Sequence, residues 1–317
     1  VAGRQGRLLQ LSALLVLLSG LLTGCFIFST GQGPTRQLEH GPTRFEVPGV
    51  PFHPQKTYQC GPAALAMALS WSGQPTDPQA LIPKVYTPNR KGSFQTALVG
   101  AARRHGRVAY PISGMDALLA EVAGSHPVIV LQNLGLSWCP IWHYAIVIGY
   151  NLPQGVIILH SGRTAREHLS FQTFENTWSR SGYWGLAVLQ PTELPAAVQK
   201  EAYLEAVLGL EKAGQWQAAV AGYETALTRW PESLGALMGL GNSLYALNEL
   251  SRAEAAFRKA CRLHPTSGPA FNNLAQVLLE QGRKQEALKA VRRAITCAGP
   301  ANAVYRKTLE EIEAREQ

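Results

Sequence analysis

The apolar positions of this 317-residue chain change pattern several times along its length. Leu8–Leu22 form a leucine-rich run of 15 residues behind Arg4 and Arg7. Residues 26–44 lose apolar periodicity and carry Gly, Pro, Ser and Thr, the composition of a tether. Residues 45–190 mix helix and strand patterns. Within them "AALAMALSWSG" reads as a helix that runs to about Trp71 and stops at Gly73. Pro62 sits in its first turn, where a missing N–H costs nothing. "HYAIVIGY", from His143 to Tyr150, and "VIILHSG" read as two strands joined by a turn around Asn151–Gly155, a β-hairpin. Pairing about a turn centred near residue 152 puts residues 160–163 opposite His143.

The last third repeats every 34 residues. Ala219, Ala253 and Ala287 align, as do Ala226, Ala260 and Ala294, and Tyr223, Phe257 and Val291. Gly214, Asn248 and Gly282 mark one turn in each unit, and Pro231 and Pro265 close the first two. Small alanines let antiparallel helices approach, an aromatic fills the gap to the next unit, and Gly or Asn supplies a left-handed turn. The pattern resembles three tetratricopeptide repeats, near 200–233, 234–267 and 268–301, with 302–317 as a polar capping helix. Such arrays resemble peptide- and protein-binding scaffolds, which implies a protein partner; a passive spacer is the other reading.

The N-terminal run has the layout of a secretory signal, too short for a comfortable membrane span. Its end, "LTGC", resembles a bacterial lipobox. That resemblance implies a signal peptide over 1–24, lipidation of Cys25, and a linker over 25–44, so that the chain meets a membrane through its lipid anchor. Phe26, where an Asp would imply inner-membrane retention, points to the outer membrane. The expected location is the bacterial cell envelope, facing the periplasm. A plain anchor helix with an incidental cysteine is the alternative.

Composition narrows the chemistry. The chain is 46% hydrophobic and 16% charged, which suits a buried core. Net charge is +8, but no Lys/Arg block forms, so no nucleic-acid partner is expected. Five cysteines, at 25, 60, 139, 261 and 297, include no Cys-x-x-Cys pair, so a small disulfide scaffold is excluded. Gly-x-Ser-x-Gly, Walker A and His-Glu-x-x-His are absent from the sequence, and no cofactor or metal is expected. Cys139, Cys261 and Cys297 read as small packing residues. His53, His105, His126, His168 and His264 read as surface residues, and Arg103-Arg104 as a solvated helix face. Of Trp138, Trp142, Trp178 and Trp184, most read as core and one or two as lining a groove.

Cys60 differs. It lies at the mouth of the Pro62 helix, where the dipole favours a thiolate. A nucleophile needs a base, and His143 opens a strand whose partner brings residues 160–163 near its ring. "QKTYQCGPAALAMAL" followed by "HYAIVIGY" resembles the C39-type cysteine peptidases over roughly 45–190. The resemblance implies an α+β papain-like cysteine peptidase domain, followed over 195–317 by an all-α tetratricopeptide repeat solenoid. It also implies Cys60 as nucleophile, His143 as base and then acid, and Gln55 as an oxyanion donor beside the Cys60 N–H. The substrate would be a peptide or protein, cleaved through a thioester.

Two positions depart from the family. Gln55 lies five residues before Cys60, one fewer than in the transporter-linked members. Ser161 takes the place of the Asp, with His160 beside it and Asn176 as a rival from a later loop. Two other readings follow: an inactive C39-like module in a lipid-anchored interaction scaffold, and an acyl- or amide-transfer enzyme on the same Cys–His pair.

Overall fold

A computed structural model of the protein describes residues 41–55, 58–298 and 302–315, which belong to one compact unit. The signal run, Cys25 and most of the tether lie outside the described residues. Among the described residues, no helix is long and apolar enough to cross a membrane.

The first part is mixed α/β. Helix α1 (Cys60–Trp71) follows strand β1 (Arg44–Glu46), and α2 (Pro78–Val85) leads into a small hairpin, β2 (Tyr86–Thr87) and β3 (Gly92–Ser93). Then come α3 (Gln95–Arg104), β4 (Val108–Ile112), α4 (Met115–Ala123), β5 (Val128–Asn133), β6 (Trp142–Asn151), β7 (Val156–Ser161), β8 (Thr164–Ser170), α5 (Phe171–Ser179) and β9 (Gly185–Leu189). The larger sheet has the order β4-β9-β5-β6-β7-β8, antiparallel at every pairing, with β1 also laid on β6.

Strand alternation divides the core into two layers. Ile129, Leu131, Tyr144, Ile146 and Ile148 face α1, whose residues Gly61–Leu69 are all buried, together with Leu81 and Leu98. Val128, Val130, Ala145, Val147 and Tyr150 face the other way, against Leu118, Val122, Phe174 and Trp178. Trp178 is thus core, whereas Trp138 is 80% exposed.

The β6–β7 hairpin forms with a bulge between Val147 and Gly149, and Ile146 pairs with His160. A Cβ on Gly149 would fall 2.7 Å from the Phe45 carbonyl, so the bulge residue lets β1 approach.

The helical part consists of α6 (Lys200–Lys212), α7 (Trp216–Arg229), α8 (Leu234–Ala246), α9 (Leu250–Leu263), α10 (Gly268–Glu280), α11 (Lys284–Ala298) and α12 (Ala303–Ala314). Helix pairs match the 34-residue units. Gly214, Asn248 and Gly282 take φ of +71°, +60° and +75° at the three turns. All six aligned alanines have no exposed surface. Tyr223 packs on Gly239 of the following unit, as the aromatic rule requires. Phe257 instead lies on Gly241 of its own unit, whose missing side chain leaves room for the ring.

The two parts share a core. Tyr203, Val207 and Leu210 of α6, with Tyr223 of α7, belong to the same buried cluster as Val108, Tyr110 and Val130 of the sheet. The connecting segment is also held by hydrogen bonds. Tyr110 Oη accepts from the Gln199 N–H at 3.0 Å, and buried Glu121 accepts from the Ala197 N–H at 3.0 Å. The other Glu121 oxygen meets His126 Nδ1 at 2.8 Å, so His126 is a junction residue and not a free surface histidine. Arg103 likewise leaves the solvated face: its guanidinium packs in the space above Gly209 of α6.

Candidate active site

Cys60 is the first residue of α1, one step further in than a cap position, and Gln59 makes no side-chain cap. The early N–H groups of any helix lack intrahelical acceptors. Those of Cys60 and Gly61, with the backbone of Tyr144, hydrogen-bond toward the thiol and lower its pKa. Burial is the larger effect and runs the other way, so the thiol titrates above its ordinary range. The helix-mouth N–H groups lower the thiol pKa in the expected sense, but burial of α1 under the sheet raises it by more. Gly61 is required here, because a Cβ would fall 2.5 Å from Ser93 Oγ of the β2–β3 hairpin.

His143 is the second residue of β6 and pairs across with Gln132. Its Nε2 lies 3.0 Å from Ser161 Oγ, at the last position of β7. With Nε2 donating to that hydroxyl, Nδ1 is the nitrogen left to accept a proton. Burial lowers the imidazole pKa, so the ring is neutral at neutral pH. The Ser161 hydroxyl brings no charge to offset this.

The neighbours of Ser161 go elsewhere. His160 accepts from the Arg166 N–H at 3.1 Å and approaches the Val50 carbonyl at 3.4 Å. Asn176 is exposed on α5. Ser161 is thus the residue of the three that meets His143.

Gln55 is fixed twice. Its N–H donates to the Gly162 carbonyl at 2.8 Å, tying the segment before α1 to the β7–β8 turn. Its Nε2 donates to the Tyr144 carbonyl at 3.2 Å. One hydrogen of the amide is used in that bond, and the second is available to an oxyanion. Gln55 Oε1 is buried without a partner.

Gln55, Cys60 and His143 line one cleft of about 980 Å³. Sequence reasoning missed several of its other walls. Tyr144 organises the centre through its backbone, and its hydroxyl donates to the Ser93 carbonyl at 3.0 Å. Its position next to His143 was the available signal. Arg90, Lys91 and Phe94 come from the β2–β3 hairpin and the residue before α3; Ile141 and Trp142 come from the segment before His143. Cys139, in that same segment, is exposed and does not pack as a small apolar residue, because the loop 134–141 stands clear of the sheet. Cys261 is buried in the array and Cys297 half-buried, both as free thiols.

Comparison with known proteins divides the chain as the fold does. The profile of the Peptidase C39-like family matches residues 47–185, and tetratricopeptide repeat profiles match 204–268 and 256–289. No curated protein matches the chain. Among solved structures, the type III secretion translocator chaperone SycD of Yersinia enterocolitica is 15% identical at a TM-score of 0.35, covering 36% of this chain and 91% of its own. The tetratricopeptide domain of Arabidopsis OM64 is 20% identical at a TM-score of 0.35, covering 37% of this chain and 96% of its own. The chain therefore joins a region that matches the Peptidase C39-like family profile to an array of tetratricopeptide repeats.

Proposed function

We propose that the protein is a cysteine peptidase, anchored to the envelope membrane through Cys25 and facing the periplasm, whose repeats hold a substrate or a partner protein. The observation that carries the reading is the convergence of Cys60, His143 and Gln55 on one cleft, with Ser161 on His143 Nε2. Burial disfavours the charged form of both thiol and imidazole, which favours a general-base-assisted attack. His143 Nδ1 takes the proton as Cys60 Sγ bonds to the peptide carbonyl carbon. The oxyanion is met by the second Gln55 amide hydrogen and the Cys60 N–H. His143 then returns the proton to the leaving amine. Water, deprotonated by His143, attacks the thioester carbon, the C–S bond breaks, and the Cys60 thiolate takes the proton back from His143.

The test incubates wild type, Cys60→Ser and His143→Ala with a mixed peptide pool and follows new termini by mass spectrometry. Cleavage by wild type alone is expected, and Cys60 alkylation by iodoacetamide should slow in His143→Ala. No cleavage, with alkylation indifferent to His143, sinks the reading. The raised thiol pKa and the hydroxyl in place of a carboxylate favour a second reading, an inactive module that retains the cleft for binding. A transferase on the same pair would be recognised by acyl transfer to an added amine instead of water.

A further inference from the structure

The walls of the cleft are unequal. Arg90 and Lys91 are exposed in its lining, and neither is ion-paired among the described residues. Lys91 has φ of +49°, which turns the hairpin, and its Nζ lies 5.7 Å from the centre of the Tyr58 ring. The third cation, Arg180, is committed elsewhere, since its Nη1 donates to the carbonyls of Asn133 and Gly135. Among the described lining residues there is no carboxylate. In the same lining, Ile141 is 59% and Trp142 50% exposed, in the segment that Arg180 braces. Large apolar side chains left open at the mouth of a buried site are unusual for a monomer surface and mark contact area.

We propose that the cleft selects peptides that carry acidic side chains and a bulky apolar side chain on opposite sides of the scissile bond. The proposal rests on the peptidase reading above and names its substrate class. The occupant follows from charge complementarity: two open cations with no facing carboxylate attract anions and repel basic segments.

The full chain carrying Cys60→Ser is titrated with short fluorescein-labelled peptides, read by anisotropy. One has glutamates before the central bond and phenylalanine after it; others replace glutamate by lysine, or phenylalanine by serine. The first is expected to bind about tenfold tighter than the lysine peptide, as two partly exposed ion pairs allow. Adding Arg90→Glu and Lys91→Glu should invert that order, and adding Trp142→Ala should erase the preference over the serine peptide. Binding of all peptides within twofold, or an order untouched by charge reversal, overturns the proposal. Cleavage by the wild type is followed in parallel. Selective binding without cleavage leaves the selectivity standing and sinks the peptidase reading. Cleavage without preference sinks the selectivity alone.

Discussion

Ser161 sets the tone of the site at the scale of single residues. A hydroxyl on His143 Nε2 orients the ring but adds no charge, so nothing opposes the burial that keeps the imidazole neutral. Replacing Ser161 by Asp would place an anion there and raise the imidazole pKa. Alkylation of Cys60 should then extend to lower pH than in wild type, where burial holds the thiol above its ordinary range. A rate–pH profile with iodoacetamide checks this; coincident profiles would show that Ser161 does not govern the pair. Ser161→Ala should slow peptide hydrolysis about fivefold, the equivalent of one net hydrogen bond of ~1 kcal/mol.

Stability follows the same groups. His143 and His160 are both held below the ordinary histidine range by burial. Below that range the unfolded chain binds more protons than the folded one, so their contribution is present above the unfolded pKa. It is lost as pH falls through the folded values. The melting temperature should drop between about pH 7 and pH 5, and less steeply in His143→Gln. An unchanged slope would put the acid sensitivity elsewhere.

At the scale of elements, much was legible beforehand. The α1 boundaries, the β6–β7 hairpin, the repeat units and their left-handed turns follow from local rules: a proline early in a helix, a polar turn between β-branched runs, a glycine past a helix end. Hairpin pairing is local and brought the stretch 160–163 to His143, while the family resemblance singled out Ser161 within it. What stayed hidden is non-local. The thiol pKa depends on how deeply α1 lies under the sheet, and the Arg90–Lys91 wall depends on where a hairpin from another segment lands. Phe257 and Val291 share an alignment column, yet the ring stays in its own unit because Gly241 opens the space there.

Two element-scale substitutions test this account. Gly61→Ala should cost about 1–3 kcal/mol, since the added methyl would fall 2.5 Å from Ser93 Oγ and 2.7 Å from its Cβ. Ser93→Gly in the same chain should recover most of it, and thermal melts of the three variants decide the matter. Asn248→Ala should lower stability by ~1 kcal/mol at a left-handed turn, whereas Asn248→Gly should not.

At the scale of the whole molecule, the repeats are joined to the α/β part by a core and not by a loose linker. Ending the chain at residue 198 would remove Tyr203, Val207 and Leu210 from the sheet-facing cluster. That fragment should bind hydrophobic dyes and melt without cooperativity. A chain ending at residue 233 keeps both helices of the first unit and should melt cooperatively. Equal behaviour of the two fragments would show that α6 is dispensable to the sheet.

Helix α6 has two allegiances, one face to the sheet and one to α7. Engineers who graft repeat arrays treat each unit as interchangeable currency, and here the first unit is not. A foreign array spliced in at the family boundary would arrive with a helix whose outer face was shaped for water, and the sheet would lose its cover. Recombination that respects this molecule must cut after the first unit, leaving α6 and α7 with the sheet and exchanging only what lies beyond them.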